Sequence, residues 1–209
     1  MRDDVLDDMV KCYPELGSLR EDVRAAGVML IDAFRAGGKV LIAGNGGSAA
    51  DADHWSGELL KGFESRRPLL SSERAGLSEG LAVGLQRGLP CIPLTGFSAL
   101  STAVCNDMDP SLVFAQLVMA LGRSGDVFVG LSTSGDALNV CSAAEVARSR
   151  GMRVLGMTGS GGGALASWCD ICVRVPETRT SRVQELHLPV YHALCLLVEG
   201  ALFGGDSEY

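Results

Sequence analysis

The chain has 209 residues, a length that fits one domain with a sizeable core, and its formal net charge is -7. Hydrophobic residues make up 47% and aromatic residues only 5%, so we expect a core of aliphatic side chains. The acidic balance argues against a broad nucleic-acid surface. No apolar run reaches the length of a membrane span, and the first residues, MRDDVLDDMVK, are acidic rather than signal-like. We therefore expect a cytoplasmic protein that binds neither nucleic acid nor a membrane.

The first predicted elements are helices over residues 5–36, with a break near Pro14. The second helix carries an amphipathic run from Leu16 to Phe34. The pair Gly37-Gly38 ends it, as glycine commonly does at a helix C-terminus. These residues predict a helical N-terminal segment that precedes the rest of the fold.

The next stretch, Lys39 to Phe63, reads KVLIAGNGGSAADADHWSGELLKGF. Its apolar run Val40–Ala43 predicts a buried parallel strand. A turn, Gly44-Asn45-Gly46-Gly47-Ser48, and a helix from Ala49 follow, with Ser48 as the predicted N-cap. Glycines let backbone N–H groups approach a ligand, and a helix N-terminus favours anions. The turn lacks the Walker A ending and the full dinucleotide fingerprint, so it predicts a phosphate site without a nucleotide cofactor.

The helix after this turn carries polar side chains on one face. His54 and Glu58 are four residues apart, and Asp51 lies three residues before His54. An imidazole and a carboxylate beside a phosphate turn can form an acid–base pair or two ligands of one metal. The alternative is a solvated helix face with a surface ion pair. We favour the functional interpretation because the glycine turn directs this face at a ligand.

Residues 64–88 give the weakest pattern in the chain. Arg66-Arg67-Pro68 indicates a loop, with the two arginines solvated, and a short helix is predicted over Leu77–Leu85. A strand over Leu89–Leu94 and a helix from Ser98 to Val104 follow.

A second strand–turn–helix unit begins with the apolar run Val127–Leu131. Ser132-Thr133-Ser134-Gly135 leads from it into a helix over about residues 137–150, and three hydroxyls at a helix N-terminus suit an anion. A third unit starts at Arg153, and a last strand is predicted over Ile171–Val175. Alternating strands and helices predict an α/β fold with a doubly wound parallel sheet, and ligands at the carboxyl ends of the strands.

The seven cysteines are an odd number and are scattered, which argues against a secreted disulfide framework. Cys169 and Cys172 form a C-x-x-C pair without a partner pair. Because this pair enters an apolar strand, we interpret it as two packed thiols rather than a redox or zinc site.

The last predicted element is a long helix over Thr180–Phe203. It carries Gln184 and His192, which are eight residues apart and so lie within about 80° of each other around the helix axis. Pro189 is predicted to kink the helix. We favour a functional role for His192 and a buried structural role for His187.

Together these pieces resemble the sugar isomerase (SIS) domain family, and within it the sedoheptulose-7-phosphate isomerases, also called phosphoheptose isomerases. The most specific stretches are GNGGSAADADHWSGEL, the CND at Cys105–Asp107, LSTSGD at Leu131–Asp136 and SRVQELH at Ser181–His187. The resemblance covers nearly the whole chain and implies a single SIS domain over residues 1–209. Its implied parts are an N-terminal helical segment (1–38), an α/β core (39–176) and a C-terminal helix (177–209), with the two terminal segments used for oligomerisation.

The resemblance also implies roles for individual residues. The implied ligands of zinc, or of another divalent metal, are His54, Glu58, Gln184 and His192. Glu58 and His192 are the implied acid–base pair. The implied substrate-binding residues are Asn45, Gly46, Gly47, Ser48, Asp51, Asp107, Ser132, Thr133, Ser134 and Gln184. Imidazole, carboxylate and amide ligands bind zinc less tightly than thiolates, so we expect a weakly held metal.

The family is tetrameric with each site at a subunit junction. The resemblance therefore implies a homo-oligomer, with a tetramer as the expected form. It also implies that a neighbouring chain supplies Gln184 and His192. The chain departs from the family at several positions. Ala137 replaces a serine, Gly62 replaces an arginine with Lys61 beside it, residues 64–88 look long, and Pro189 is unexpected in the last helix.

The reaction that the resemblance implies is aldose–ketose isomerisation of a phosphorylated sugar through an enediol or enediolate. The first candidate is D-sedoheptulose 7-phosphate going to D-glycero-D-manno-heptose 7-phosphate, and another phosphosugar is an open alternative. An alternative from another class is a non-catalytic SIS module that binds a sugar phosphate, a replication initiator or a regulatory protein. Such a module would keep the glycine and serine turns but would not need the carboxylate and the imidazole.

Overall fold

The computed structural model describes residues 2–204. Residue 1 and residues 205–209, the ends of the two predicted terminal segments, lie outside the described residues. The helices in this range are α1 (Asp3–Cys12), α2 (Arg20–Arg35), α3 (Gly47–Leu60), α4 (Ser71–Arg74), α5 (Glu79–Gly84), α6 (Ser98–Asp107), α7 (Val113–Leu121), α8 (Leu138–Ser149) and α9 (Thr180–Phe203). The strands are β1 (Val40–Gly44), β2 (Cys91–Pro93), β3 (Val127–Leu131), β4 (Arg153–Thr158) and β5 (Ile171–Arg174).

The five strands form one sheet in the order β2-β1-β3-β4-β5, and every neighbouring pair is parallel. This confirms the predicted α/β fold with a parallel sheet. The chain leaves β1 toward β2 on one side and resumes with β3 on the other. The strand order therefore reverses between β1 and β3, and ligands bind at such a point in open α/β sheets.

Helices cover both faces of the sheet, as the apolar strands require. Alternate residues of β1 face opposite sides. Val40 and Ile42 pack in a cluster with side chains of α1, α2, α3 and α9. Leu41 and Ala43 pack in a second cluster with side chains of α6, α7 and α8. The two helix layers hold β1 and β3 rigidly, so the turns at their carboxyl ends have fixed positions.

Arg67 corrects the prediction of a solvated basic loop. Its side chain is 0% exposed, and Nε donates to Oε1 of Glu199 on α9 at 2.8 Å. Nη1 donates to the carbonyl of Leu59 at 2.9 Å. Burial alone raises the pKa of Glu199, but N–H donors from Phe63 and Glu64 and the Arg67 guanidinium hold that pKa below its usual range. The cation is therefore buried because a carboxylate far along the sequence neutralises it.

Helix α9 is the longest element, with 24 residues. By length and hydropathy it could cross a membrane, which the sequence prediction had overlooked. However, 67% of its most apolar window is buried inside the domain, and its apolar side chains form the core with α2 and β1. The helix continues through Pro189, so this proline does not end it, and a kink there stays a prediction.

Candidate active site

A cavity of about 320 Å³ lies where the strand order reverses, and we call it the ligand pocket. It is lined by the turn after β1 (Asn45, Gly46, Gly47, Ser48), the end of β3 with the turn after it (Leu131, Ser132, Thr133, Ser134, Ala137), and Thr180 and Gln184 of α9. Eight of the ten predicted substrate-binding residues thus meet in one place. Asp51 and Asp107 do not line this cavity.

Glycine shapes the turn after β1. Gly46 has a φ of 57°, a left-handed conformation that glycine adopts easily, and it occupies the N-cap position of α3. The predicted N-cap, Ser48, instead lies in the first turn of the helix. A Cβ atom on Gly47 would lie 2.6 Å from Nε2 of Gln184, so any other residue here would displace the Gln184 amide from its position.

Three helix N-termini meet at the ligand pocket. Gly47 begins α3, Ala137 is the N-cap of α8, and Thr180 begins α9. The N–H groups of a first helical turn lack partners within the helix and carry partial positive charge. No lysine or arginine is among the described residues that line the pocket. An acidic chain can therefore hold a phosphate here through helix dipoles and hydroxyls.

The hydroxyl of Ser132 organises the turn after β3. The side chain is buried, and Oγ accepts hydrogen bonds from the N–H groups of Gly135 at 3.1 Å and Ala137 at 3.4 Å. The hydroxyl proton remains available to a ligand. Ser134 is exposed, and its Oγ accepts from the N–H of Asp136 at 3.1 Å. Ser132 thus combines a structural role with a place on the pocket wall.

Asn45 is held by a partner that the sequence did not reveal. Nδ2 of Asn45 donates to Oδ1 of Asn139 at 2.9 Å, and Nδ2 of Asn139 donates back to Oδ1 of Asn45 at 2.9 Å. This reciprocal amide pair joins the turn after β1 to α8. It fixes which way the Asn45 amide faces in the pocket and leaves its second N–H free to donate to a ligand.

Helices α3 and α9 run side by side away from the pocket. Gly47 meets Gln184 at one end, and two turns further along Nδ1 of His54 lies 2.9 Å from the hydroxyl of Tyr191. Nε2 of His54 lies 3.2 Å from Oε1 of Glu58. The rings of His54 and His192 are perpendicular, with centroids 5.3 Å apart. We call His54, Glu58, Tyr191 and His192 the acid–base cluster.

Tyr191 links this cluster to Asp51. The tyrosine ring is fully buried and stacks on Trp55, and its hydroxyl lies 3.5 Å from Oδ1 of Asp51. Burial raises the pKa of Asp51. Asp51 therefore contacts the acid–base cluster through the hydroxyl of Tyr191. Sequence reasoning missed Tyr191, although a hydroxyl directly before His192 in an apolar helix was a usable signal.

His192 and Glu58 have different surroundings. Burial, with the neighbouring His54, lowers the pKa of His192, which favours the neutral imidazole. Oε2 of Glu58 lies 3.4 Å from Nζ of Lys61. His192 also lines a groove of about 220 Å³, the α1–α9 groove, with apolar walls that include Val5, Met9, Leu188 and Leu196.

Two of the predicted metal ligands, Gln184 and His192, lie at different places along α9. Gln184 lines the ligand pocket and lies eight residues before His192, which is about 12 Å along α9. Across residues 2–204, no group of three or more His, Cys, Asp and Glu side chains is arranged to hold a metal ion. A four-ligand site that also includes Gln184 therefore stays a prediction.

Asp107 ends α6 and is exposed. Its Oδ1 accepts a hydrogen bond from Nδ2 of Asn106 at 2.7 Å, and it stands apart from the residues that line the pocket. His187 is fully buried, with Nε2 3.4 Å from the carbonyl oxygen of Thr158, as expected for a structural histidine.

Comparison with known proteins gives consistent matches. Residues 16–159 match the SIS domain family. The phosphoheptose isomerase of Rhodospirillum rubrum is 42% identical over 191 residues, which is 91% of this chain and 92% of that protein. Two solved phosphoheptose isomerases share the fold. The structure from Neisseria gonorrhoeae is 33% identical with a TM-score of 0.76, over 93% of this chain and 94% of that chain. The structure from Francisella tularensis is 32% identical with a TM-score of 0.77, over 94% of this chain and 95% of that chain.

Proposed function

This chain belongs to the SIS domain family, and we propose that it interconverts the aldose and ketose forms of a phosphorylated sugar. The observation that carries the proposal is the stripe formed by Gly47, His54 and Glu58 on α3. At 3.6 residues per turn these three positions lie within about 40° of one another around the axis. One helix face thus connects a phosphate-binding turn to an imidazole and a carboxylate.

The spacing along this face suits a sugar phosphate. His54 lies six residues beyond Ser48, about 9 Å along α3. With carbon–carbon bonds near 1.5 Å, an extended heptose 7-phosphate carries its phosphorus about 9 Å from C2. The relatives named phosphoheptose isomerase support the same substrate class. We propose D-sedoheptulose 7-phosphate as substrate and D-glycero-D-manno-heptose 7-phosphate as product.

Glu58 and His192 are the proposed acid–base pair. Isomerisation requires a base that removes the proton from the carbon next to the carbonyl, and an acid that protonates the carbonyl oxygen to give an enediol. Glu58 accepts the carbon-bound proton, and the N–H of His192 donates a proton to the carbonyl oxygen. Glu58 then returns the proton to the neighbouring carbon, while the other enediol hydroxyl gives its proton back to His192 and becomes the new carbonyl. General acid–base groups of this kind typically contribute about 10²–10⁴-fold each. His54 orients Glu58 through the contact at 3.2 Å.

The zinc implied by the resemblance stays a prediction, and no step above depends on it. As the resemblance implies, we expect the four donors of a zinc site to come from more than one subunit. Metal analysis of the purified protein, compared with a Gln184→Ala variant, tests this prediction directly.

We also propose a cytoplasmic homotetramer with sites shared between subunits. The α1–α9 groove supports this because it presents apolar side chains around His192 on the outer surface of the chain. A neighbouring subunit covering this groove would exclude water from His192.

The test is incubation with a panel of sugar phosphates in deuterated water, followed by NMR of the products. Isomerisation incorporates deuterium next to the carbonyl. Glu58→Gln should lower kcat by about 10²-fold or more, and the double variant with His192→Asn should lose little beyond the worse single variant. Glu145→Gln, an exposed carboxylate on α8, is the matched control and should behave as wild type.

One result would overturn the proposal. A well-folded Glu58→Gln protein with normal turnover would mean that the cluster does not perform the reaction. If that variant and the wild type both bound sugar phosphates without converting them, the chain would be a non-catalytic sugar-phosphate module.

A further inference from the structure

The C-x-x-C pair lies at the edge of the sheet, away from the ligand pocket. Cys169 precedes β5, the edge strand, and Cys172 lies within it opposite Gly156 of β4. A Cβ atom on Gly156 would lie 2.5 Å from Sγ of Cys169 and 3.3 Å from Sγ of Cys172. The two sulfurs therefore share the space that a side chain at position 156 would fill.

Polar groups surround this pair of sulfurs. Sγ of Cys172 lies 3.8 Å from Oγ1 of Thr158, and Arg174, two residues along β5, is on the same face of the strand. The thiol of Cys169 interacts with the sulfur of Cys172 and also lies 3.2 Å from the carbonyl of Leu165. Both cysteines are partly exposed. A reagent in solution can therefore reach them.

These surroundings make the two thiols chemically unequal. The hydrogen bond from Cys169, with those from Thr158 and Arg174, lowers the pKa of Cys172 to about 6, whereas the same interaction raises the pKa of Cys169. The lowered pKa favours the thiolate of Cys172, the form that reacts with disulfides. By contrast, burial raises the pKa of Cys91 to about 12.

In place of the two packed thiols expected from the sequence, we propose that Cys169 and Cys172 form a reversible dithiol–disulfide site that reacts with low-molecular-weight disulfides. The Cys172 thiolate attacks one sulfur of the reagent, forming a mixed disulfide and expelling one thiolate. Cys169 then loses its proton and attacks the Cys172 sulfur. A bond forms between the two cysteines, and the second reagent thiolate leaves. Two protein thiols are oxidised to one disulfide, and one reagent disulfide is reduced to two thiols.

The test uses the full-length reduced protein with glutathione disulfide as the probe, followed by alkylation of the remaining thiols and peptide mapping. Cleavage after Arg153 and Arg174 releases both cysteines on one peptide. We expect this peptide to lose two hydrogens and to escape alkylation, and dithiothreitol should reverse both changes. Cys169→Ser should stop at a mixed disulfide on Cys172, and Cys172→Ser should react at neither position.

Cys12→Ser and Cys105→Ser are the matched controls, because these cysteines are exposed and lie elsewhere. Both control variants should form the Cys169–Cys172 disulfide as the wild type does. The proposal is overturned if the wild-type peptide stays fully alkylated while Cys12 and Cys105 carry glutathione. A Cys172→Ser protein that still blocks Cys169 would also overturn it. The wild-type result decides the question even if a serine variant fails to fold.

Discussion

Ser132 and Ser134 both line the ligand pocket, but only the Ser132 hydroxyl is also buried in the turn after β3. Ser134→Ala removes an exposed hydroxyl whose bond to a phosphate is worth about 1.5–3 kcal/mol. Because phosphate is held equally in the ground and transition states, KM should rise by about 10-fold or more while kcat stays near normal. Ser132→Ala should raise KM and also lower the melting temperature, since the buried Oγ accepts two backbone N–H groups. Steady-state kinetics and thermal unfolding of both variants check this. An unchanged KM in both would place the phosphate elsewhere.

The second prediction for a single residue concerns Asn139. It lies outside the pocket lining but fixes the amide of Asn45 through two hydrogen bonds of 2.9 Å. Asn139→Ala should let the Asn45 amide rotate and so raise KM by about 5-fold, the equivalent of roughly one hydrogen bond. Because Asn139 is only half-buried and lies outside the core clusters, the melting temperature should stay close to that of the wild type. A variant that melts early with an unchanged KM would assign Asn139 a purely structural role.

At the level of whole elements, the N-terminus of α8 lines the pocket without a side chain that caps the helix. Ala137 is its N-cap, and no side chain caps the helix. Ala137→Ser places a hydroxyl at an N-cap position, where serine is favoured over alanine by about 0.5–2 kcal/mol. We expect a higher melting temperature and a lower KM with kcat nearly unchanged. Unfolding and kinetics of this one variant separate the two effects. A raised KM would show that the hydroxyl obstructs the substrate.

The elements with strong local patterns were predictable from the sequence. The apolar runs of β1, β3 and β4 and the length of α9 follow from periodicity. Eight of the ten residues that the resemblance implied for substrate binding line one pocket, and their roles stay a prediction. Two features depend on distant residues and were missed. Arg67 is buried only because Glu199 lies beside it, and Tyr191 meets Asp51 only because α3 and α9 are aligned. Helix α7 was also not predicted, although its residues are strongly apolar.

For the molecule as a whole, His187 makes stability depend on pH. Burial lowers the pKa of His187 to about 4, whereas an unfolded histidine titrates near 6.5. Between these values the unfolded chain binds more protons than the folded one, so stability is fully present above about pH 6.5 and is lost as pH falls. This single group accounts for up to about 3 kcal/mol. Urea unfolding between pH 7.5 and 5 should show the decline, and His187→Gln should flatten it. An equal slope in both proteins would contradict the assignment.

Assembly is the remaining property of the whole molecule. The α1–α9 groove carries apolar walls beside the proposed catalytic His192, and Leu188 on its rim is 36% exposed. A second subunit that covers this groove would bury these side chains and remove water from His192, which joins oligomerisation to catalysis. Met119 on α7 is similarly apolar and is 46% exposed, but it lies outside the groove.

We therefore predict that the wild-type protein sediments as a tetramer at micromolar concentration and that Leu188→Asp dissociates it, because a buried unpaired carboxylate opposes association. Turnover of sugar phosphates should fall together with the tetramer fraction if neighbouring subunits complete the site. Met119→Asp introduces the same charge on the other side of the sheet and should leave both sedimentation and turnover unchanged. Sedimentation velocity and the deuterium-exchange assay on the same samples measure the two quantities together. A Leu188→Asp monomer with full turnover would show that each chain carries a complete site.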